Sequence, residues 1–291
     1  MKNKTLLFAA LVSVFGWCCI SCEPNEPSVS STLVANGFSI SYKKQVKFSK
    51  GNLQYTQSTN TWAFAANQYD MIGEANIENY ELADKIDMFG WSGNTGAAKW
   101  GISTSTDNND YSGDFADWGQ NIGDGTTWRT LTQDEWKYLC GGRDNADSLL
   151  SVARINLDEA GTTYVNGLIL LPDMWTCPEG ITFNSGFFDI YREAPGFSGL
   201  WEATEQDYAD HQTFTLGQWE KLEAAGAIFL PNSTTRLSET VLGGCIGEYW
   251  SATSVDSNGS KIFSFSPLDY SCSWIPYNRY GGKAVRLVQD L

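Results

Sequence analysis

A single histidine, His211, serves a chain of 291 residues, and that scarcity removes most of the chemistry that imidazole supports. A Ser/His/Asp triad would have to pass through it, yet Asp207-Tyr208-Ala209-Asp210-His211 has no nucleophile-elbow motif near a candidate serine. The expectation is a solvated loop histidine. Charge is also sparse, at 18% of residues, and basic charge is sparser still: 19 Lys and Arg against 34 Asp and Glu, a formal net charge of -15. So acidic a chain is repelled by nucleic acid and by anionic headgroups, so neither is an expected partner. None of Cys140, Cys177, Cys245 and Cys272 shows CxxC or Cys/His spacing, which argues against zinc. Asp107-Asn108-Asn109-Asp110, followed by Asp114 and Asp117, lacks the EF-hand spacing and its bidentate Glu, and such Asp/Asn/Gly runs make turns. Nothing singles out a carboxylate pair for glycoside hydrolysis. The expected catalytic residues, metal sites and cofactors are therefore none.

The N-terminus supplies the clearest positive signal. Lys2 and Lys4 give a basic start, residues 5–17 form an apolar run too short to span a bilayer comfortably, and Ile20-Ser21-Cys22 closes it with small residues at the cut. Residues 1–21 resemble a bacterial lipoprotein signal, with Cys22 as the lipidated residue. Cys19 stands where Leu is usual, and Cys18 and Cys19 offer alternative sites. Residues 22–37 then read as the lipidated Cys and a tether whose Pro/Ser-rich part, begun by Glu23-Pro24-Asn25-Glu26-Pro27, runs to about residue 31. Acid directly after the Cys looks like the surface-export signals of Bacteroidetes lipoproteins. Loss of residues 1–21 moves the formal charge from -15 to -17, with 17 basic residues left against 34 acidic ones. Outer-membrane lipid, joined through Cys22, is then what holds the chain at the membrane.

Cys140, Cys177, Cys245 and Cys272 remain, an even number in an exported chain, which suggests two disulfides among three possible connectivities. Cys245–Cys272 is the favoured pair because it ties together the two ends of the C-terminal region. Such a loop is worth roughly 3–4 kcal/mol on the chain-entropy model.

Aromatics make up 14% of the chain, with 12 Trp, a balance that suits a β-rich, loop-rich extracellular protein. Phe38, Ile40 and Tyr42 alternate with polar residues, as do Val46 and Phe48, predicting an opening strand pair. Residues 53–55 and 61–64 read as a hairpin. Residues 67–127 are mostly turns, stapled by Trp91, Trp100 and Trp118 or else functional. Thr132-Gln133-Asp134-Glu135 is a capping box ahead of Trp136, Leu139 and Cys140, and Gly141-Gly142 ends that helix. A strand follows at 167–171. A second helix near 215–225 turns Trp219 and Leu222 inward, before a strand at 227–230 stopped at Pro231. Strands at 249–253 and 261–265 flank Asn258-Gly259, a strong hairpin signal, and 284–288 alternates well enough for a last strand. Two helices on small antiparallel sheets predict an α+β arrangement with long loops.

Several stretches carry a resemblance: Phe48-Ser49-Lys50-Gly51-Asn52-Leu53-Gln54-Tyr55, Trp128-Arg129-Thr130-Leu131-Thr132-Gln133-Asp134-Glu135-Trp136, Leu170-Leu171-Pro172, residues 219–231, Tyr249-Trp250-Ser251-Ala252-Thr253 and Ala284-Val285-Arg286-Leu287-Val288. Covering most of 38–290, they are similar to the C-type lectin-like fold in its bacterial form. That form is shared by the sulfatase-modifying-factor (formylglycine-generating) family, the Fibrobacter succinogenes major paralogous domain and retroelement-diversified ligand-binding proteins. The resemblance implies one such domain over 38–291, with its first and last strands paired. It also implies that the variable, ligand-facing residues fall between the Trp-Ser strand and the final Val-Arg strand. By position these are Asp269, Tyr270, Ser271, Ser273, Trp274, Tyr277, Asn278, Arg279 and Tyr280.

Tyr and Trp offer large rigid contact area at low entropy cost, and Ser and Asn adaptable hydrogen bonds. The segment 267–282 therefore reads as the contact surface of a non-catalytic binder whose ligand is a protein or a glycan. A lid packed over the sheet is the alternative use of the same rings. An adhesin or pilus-associated structural subunit is the second functional reading. The third is formylglycine formation, whose active members use two closely spaced C-terminal cysteines; here Cys272 stands alone, with Cys245 far upstream. The calcium-lectin tripeptide Glu-Pro-Asn occurs in the tether, at 23–25, and not in the C-terminal half.

Overall fold

The computed structural model describes residues 33–123, 125, 127–186, 203–233, 235–272 and 276–291, with Ser271 and Cys272 described by their backbone alone. Alternation builds the first hairpin. Phe38, Ile40, Val46 and Phe48 turn into the core from β1 (Phe38–Ser41) and β2 (Lys44–Phe48), with Phe38 opposite Val46. Tyr42, next in the same alternation, falls in the turn and is 82% exposed. The last strand, β19 (Leu287–Asp290), joins this sheet beside β2, Val288 opposite Phe48, and β8 (Arg129–Thr130) completes the order β1-β2-β19-β8. First and last strands thus share a sheet without pairing directly, a correction to the expectation. On β1 the Asp173 carboxylate takes the Ser39 N–H at 3.0 Å and its hydroxyl at 2.7 Å.

A second sheet carries β9 (Leu150–Asn156), β10 (Tyr164–Leu170), β11 (Thr213–Thr215) and β12 (Ile228–Pro231) in the order β11-β9-β10-β12. Only the β11–β9 pairing is parallel. Three α-helices occur among the described residues, one more than expected: α1 (Gln133–Lys137), α2 (Glu205–His211) and α3 (Leu216–Ala224). Each begins at a capping box, Thr132/Glu135, Thr204/Asp207 and Thr215/Gln218, which satisfies N–H groups the first turn leaves open. Trp219 and Leu222 of α3 are fully buried. Gly226, at φ 93, ends α3 by returning its N–H to Glu223, a conformation that favours glycine.

Smaller ribbons complete the chain. β3 (Leu53–Thr56), β4 (Thr61–Phe64) and β7 (Lys85–Ile86) form one sheet, and β5 (Ile77–Glu78) pairs with β6 (Glu81–Leu82). β13 (Thr235–Leu237) and β14 (Thr240–Leu242) make a hairpin. β15 (Gly247–Ser254) and β16 (Gly259–Phe265) pair as predicted. At their turn the Asp256 carboxylate accepts from the N–H groups of Asn258 and Gly259, at 2.8 and 2.7 Å. β17 (Tyr270–Cys272) and β18 (Tyr277–Asn278) both lie along β16. The result is an α+β chain of small, mostly antiparallel sheets.

Tryptophan holds the irregular stretch down, as expected for Trp91 and Trp118. Both are fully buried, and each buried ring also satisfies its indole N–H. Trp91 Nε1 donates to Ser251 O at 3.1 Å, Trp118 Nε1 to Trp100 O at 2.9 Å, and Trp250 Nε1 back to Phe89 O at 2.7 Å. Trp100 is half-buried and packs on the same cluster.

The framework of two disulfides is not formed: Cys177 on the surface and the half-buried Cys245 are free thiols, and Cys140 lies in the core. For the favoured Cys245–Cys272 pair the reason lies in the register. Cys272 lies opposite Phe263, which lies opposite Tyr249, so β16 separates Cys272 from the strand that follows Cys245. Two strand spacings are about 9–10 Å, beyond the roughly 7 Å that a disulfide tolerates between Cα atoms.

Candidate ligand-binding site

Between the β13–β14 hairpin and the C-terminal segment lies a cavity of about 260 Å³. Leu237, Leu242 and Ile246 line one side and Tyr277, Asn278 and Tyr280 the other, with Thr235, Glu248 and Lys283 at its base. Backbone pairing sets these positions. Arg236 exchanges hydrogen bonds with Gly282 at 2.9 and 2.7 Å, fixing β13 against the segment, and Lys283 exchanges a pair with Phe89 at 2.9 and 3.0 Å. Ala284 bridges Tyr249 in parallel, its N–H on Glu248 O at 3.2 Å, which brings Lys283 beside Glu248.

The base is a buried ion pair, with Lys283 2% and Glu248 4% exposed. Lys283 Nζ donates to Glu248 Oε2 at 2.6 Å and to Thr235 Oγ1 at 2.8 Å, and stands 4.9 Å from the centre of the Tyr277 ring. The Thr235 hydroxyl also donates to Glu248 Oε2. Burying two charges is costly unless each is paired and hydrogen-bonded, and the ammonium here meets both conditions. Glu248 Oε1 has no hydrogen-bond partner among the described residues, nor does the Tyr277 hydroxyl. The Tyr280 hydroxyl accepts from Asn278 Nδ2 at 3.0 Å and keeps its own proton to give. Burial first, and then the Glu248 charge, pushes the Tyr277 phenol up to about 12, so it is a protonated donor at neutral pH.

Of the nine residues expected to face a ligand, Tyr277, Asn278 and Tyr280 line this cavity. Ser273, Trp274 and the Ser271 side chain lie outside the described residues, as does Cys22. Asp269 is exposed at the turn before β17. Tyr270 is corrected to a packing role. Half-buried, it lies 6.4 Å from the Phe263 ring and donates its hydroxyl to Cys140 O at 3.0 Å, tying β17 to the turn after α1. Arg279 is corrected as well: it is 2% exposed. Its guanidinium donates to the carbonyls of Tyr111, Gly113 and Asp256 at 3.2, 3.1 and 2.6 Å and to Ser254 Oγ at 2.6 Å, 4.1 Å above the Trp91 ring. Arg279 is a staple between the irregular stretch and the β15–β16 turn.

Sequence reasoning missed Glu248, Lys283 and the β13–β14 hairpin. The available signal was a lone charge inside each of two apolar strand-like runs, Glu248 before Tyr249-Trp250 and Lys283 before Ala284-Val285.

His211 is corrected from a solvated loop to the end of α2, where it is half-buried and 3.1 Å from Ser151 Oγ. Burial lowers its pKa. Ser151 is fully buried and its hydroxyl reaches Asn184 O at 2.5 Å, so its proton points to a carbonyl and not to the imidazole. That geometry does not activate a nucleophile. In the acidic run, Asp107 caps the turn at Asn109 N, and Asp117 accepts from the N–H groups of Gly119 and Thr130. Among the described residues, no group of three His, Cys, Asp or Glu is placed to hold a metal, and no helix is long and apolar enough to cross a membrane. No family model, curated protein or solved structure matches the chain.

Proposed function

We propose that this chain is a lipid-anchored outer-membrane protein, held through Cys22 and facing the cell surface, whose C-type lectin-like domain binds a protein or glycan without catalysis. The observation that carries the reading is the cavity wall: Tyr277, Asn278 and Tyr280, drawn from the segment between β16 and β19, line one pocket over the Glu248–Lys283 pair. Concave, largely apolar walls with a few convergent polar groups are what small-ligand sites need. The closing of one sheet by the chain's first two strands and its last also supports the fold assignment.

Capture on glycan and host-protein arrays tests this reading. The Tyr277→Ala/Tyr280→Ala protein is expected to lose capture while keeping its melting temperature within a few degrees. Undiminished capture would sink it. The second reading, an adhesin or pilus-associated subunit, draws on Leu237 and Leu242, exposed by 36% and 46% on the hairpin beside the cavity. Loss of subunit co-purification in Leu237→Ser/Leu242→Ser, with array capture intact, would favour it.

A further inference from the structure

The geometry points to a neutral sugar ring as the occupant of this cavity: one pyranose residue of a glycan, bound without metal. The assignment rests on the ligand-binding reading above and narrows it.

It follows from which polar atoms are left open. The base presents a carboxylate oxygen, Glu248 Oε1, on a side chain 94% buried, lining the cavity and without a partner among the described residues. Such an atom asks for a donor. An apolar protein side chain seated there would remove water from Oε1 and give nothing back, an unfavourable exchange. A cationic group would supply donors but would meet Lys283 Nζ, already 2.6 Å from the same carboxylate. An anion would face Glu248 directly and a chain of net charge -15 around it. A hydroxyl supplies the donor with no net charge, and the paired base is itself neutral.

The walls ask for several hydroxyls on one rigid body. Tyr277 has a free hydroxyl, and Tyr280 has a free hydroxyl proton because its oxygen is already fixed by Asn278 Nδ2. Between these polar points the lining is Leu237, Leu242 and Ile246, which suits the C–H faces of a ring that carries hydroxyls only at its rim. Aromatic walls with a hydrogen-bonding edge recognise such amphipathic rings through face and edge together.

Saturation-transfer NMR and titration with methyl glycosides of neutral hexoses, fucose and N-acetylhexosamines, in EDTA, test the assignment on the intact chain. At least one neutral glycoside is expected to bind, receiving saturation on its ring C–H protons. Glu248→Gln and Tyr280→Phe are each expected to weaken it by roughly tenfold, the size of one lost hydrogen bond to a charged or well-placed group. If Glu248→Gln fails to fold, Tyr280→Phe decides, since that change touches only a rim hydroxyl. Absence of binding by every glycoside, loss of binding in EDTA, or unchanged affinity in Tyr280→Phe would overturn it. Array capture of proteins that needs Tyr277 and Tyr280, with no glycoside bound, would overturn the sugar assignment and leave the wider reading standing. Failure of both would remove both.

Discussion

Arg279 and Lys283 stand four residues apart in the same segment, both 2% exposed, and bury a cation in opposite ways. Arg279 spreads its charge over three backbone carbonyls, a serine hydroxyl and the Trp91 ring, with no carboxylate in contact among the described residues. Lys283 concentrates its charge on one carboxylate and one hydroxyl at the base of a cavity. A planar fork with five donors can satisfy scattered carbonyls, whereas a compact ammonium needs a counter-charge close by. The first arrangement organises backbone; the second leaves an oxygen of its partner open to a ligand. Position in an aromatic segment was the feature that placed Arg279 on the contact surface, yet that residue is the segment's anchor.

The comparison breaks most visibly at Glu248. Glu248→Ala leaves the Lys283 ammonium buried with only Thr235 to hold it, and is expected to destabilise the protein by about 3–5 kcal/mol. Adding Lys283→Met should restore most of that loss, because an apolar chain of similar length needs no counter-charge. Urea unfolding of the single and double variants measures both. A Glu248→Ala loss under about 1 kcal/mol would mean that the pair is hydrated and not buried.

Arg279→Ala comes next, at about 2–3 kcal/mol, since three carbonyls and Ser254 Oγ lose a charged donor together. Arg279→Lys should recover little, because one ammonium cannot reach carbonyls on two separate segments. Thermal unfolding of the two variants side by side separates anchor from surface residue: an exposed arginine would change stability by no more than about 0.5 kcal/mol in either variant.

These expectations also mark how far the sequence could be read. Signals confined to a few residues survived: the Phe38/Val46 hairpin, the box at Thr132, the helix near 215–225 and the Asn258-Gly259 turn all form from local preference. β9 went unseen because Leu150–Asn156 is covered on both faces, so its residues do not alternate. The β13–β14 hairpin was too short, at three residues a strand, to show a period. For the site, Tyr277, Asn278 and Tyr280 were named by position and line one cavity, while Glu248–Lys283 spans 35 residues and exists only through the bridge between Tyr249 and Ala284. The role of Arg279 depends on carbonyls more than 160 residues away, which no local pattern encodes.

A smaller effect is expected from the Tyr277 phenol. Its folded pKa of about 12 lies above the ordinary 10, through burial first and the Glu248 charge second. The stability tied to the protonated phenol is therefore complete below pH 10 and is lost as pH rises from 10 towards 12. A difference titration of phenolate absorbance between the native protein and Tyr277→Phe should show one group with a midpoint near 12. Glu248→Gln should lower that midpoint while leaving it above 10, because burial is the larger cause. A midpoint at 10 would place the hydroxyl in open water and away from the carboxylate.

Tyr280→Phe is the smallest change and the one that best separates anchor from contact. The lost hydroxyl accepts only Asn278 Nδ2 at the rim, and that amide can turn to water. Stability should stay within about 0.5 kcal/mol of the native value, in contrast to Arg279→Ala one residue earlier in the chain. A ring that serves the fold and a ring that serves a ligand differ in what their removal disturbs, and the neighbouring pair 279 and 280 puts both outcomes within one unfolding experiment. If Tyr280→Phe proves as damaging as Arg279→Ala, the whole segment is a lid packed on the β15–β16 sheet and the cavity wall is core.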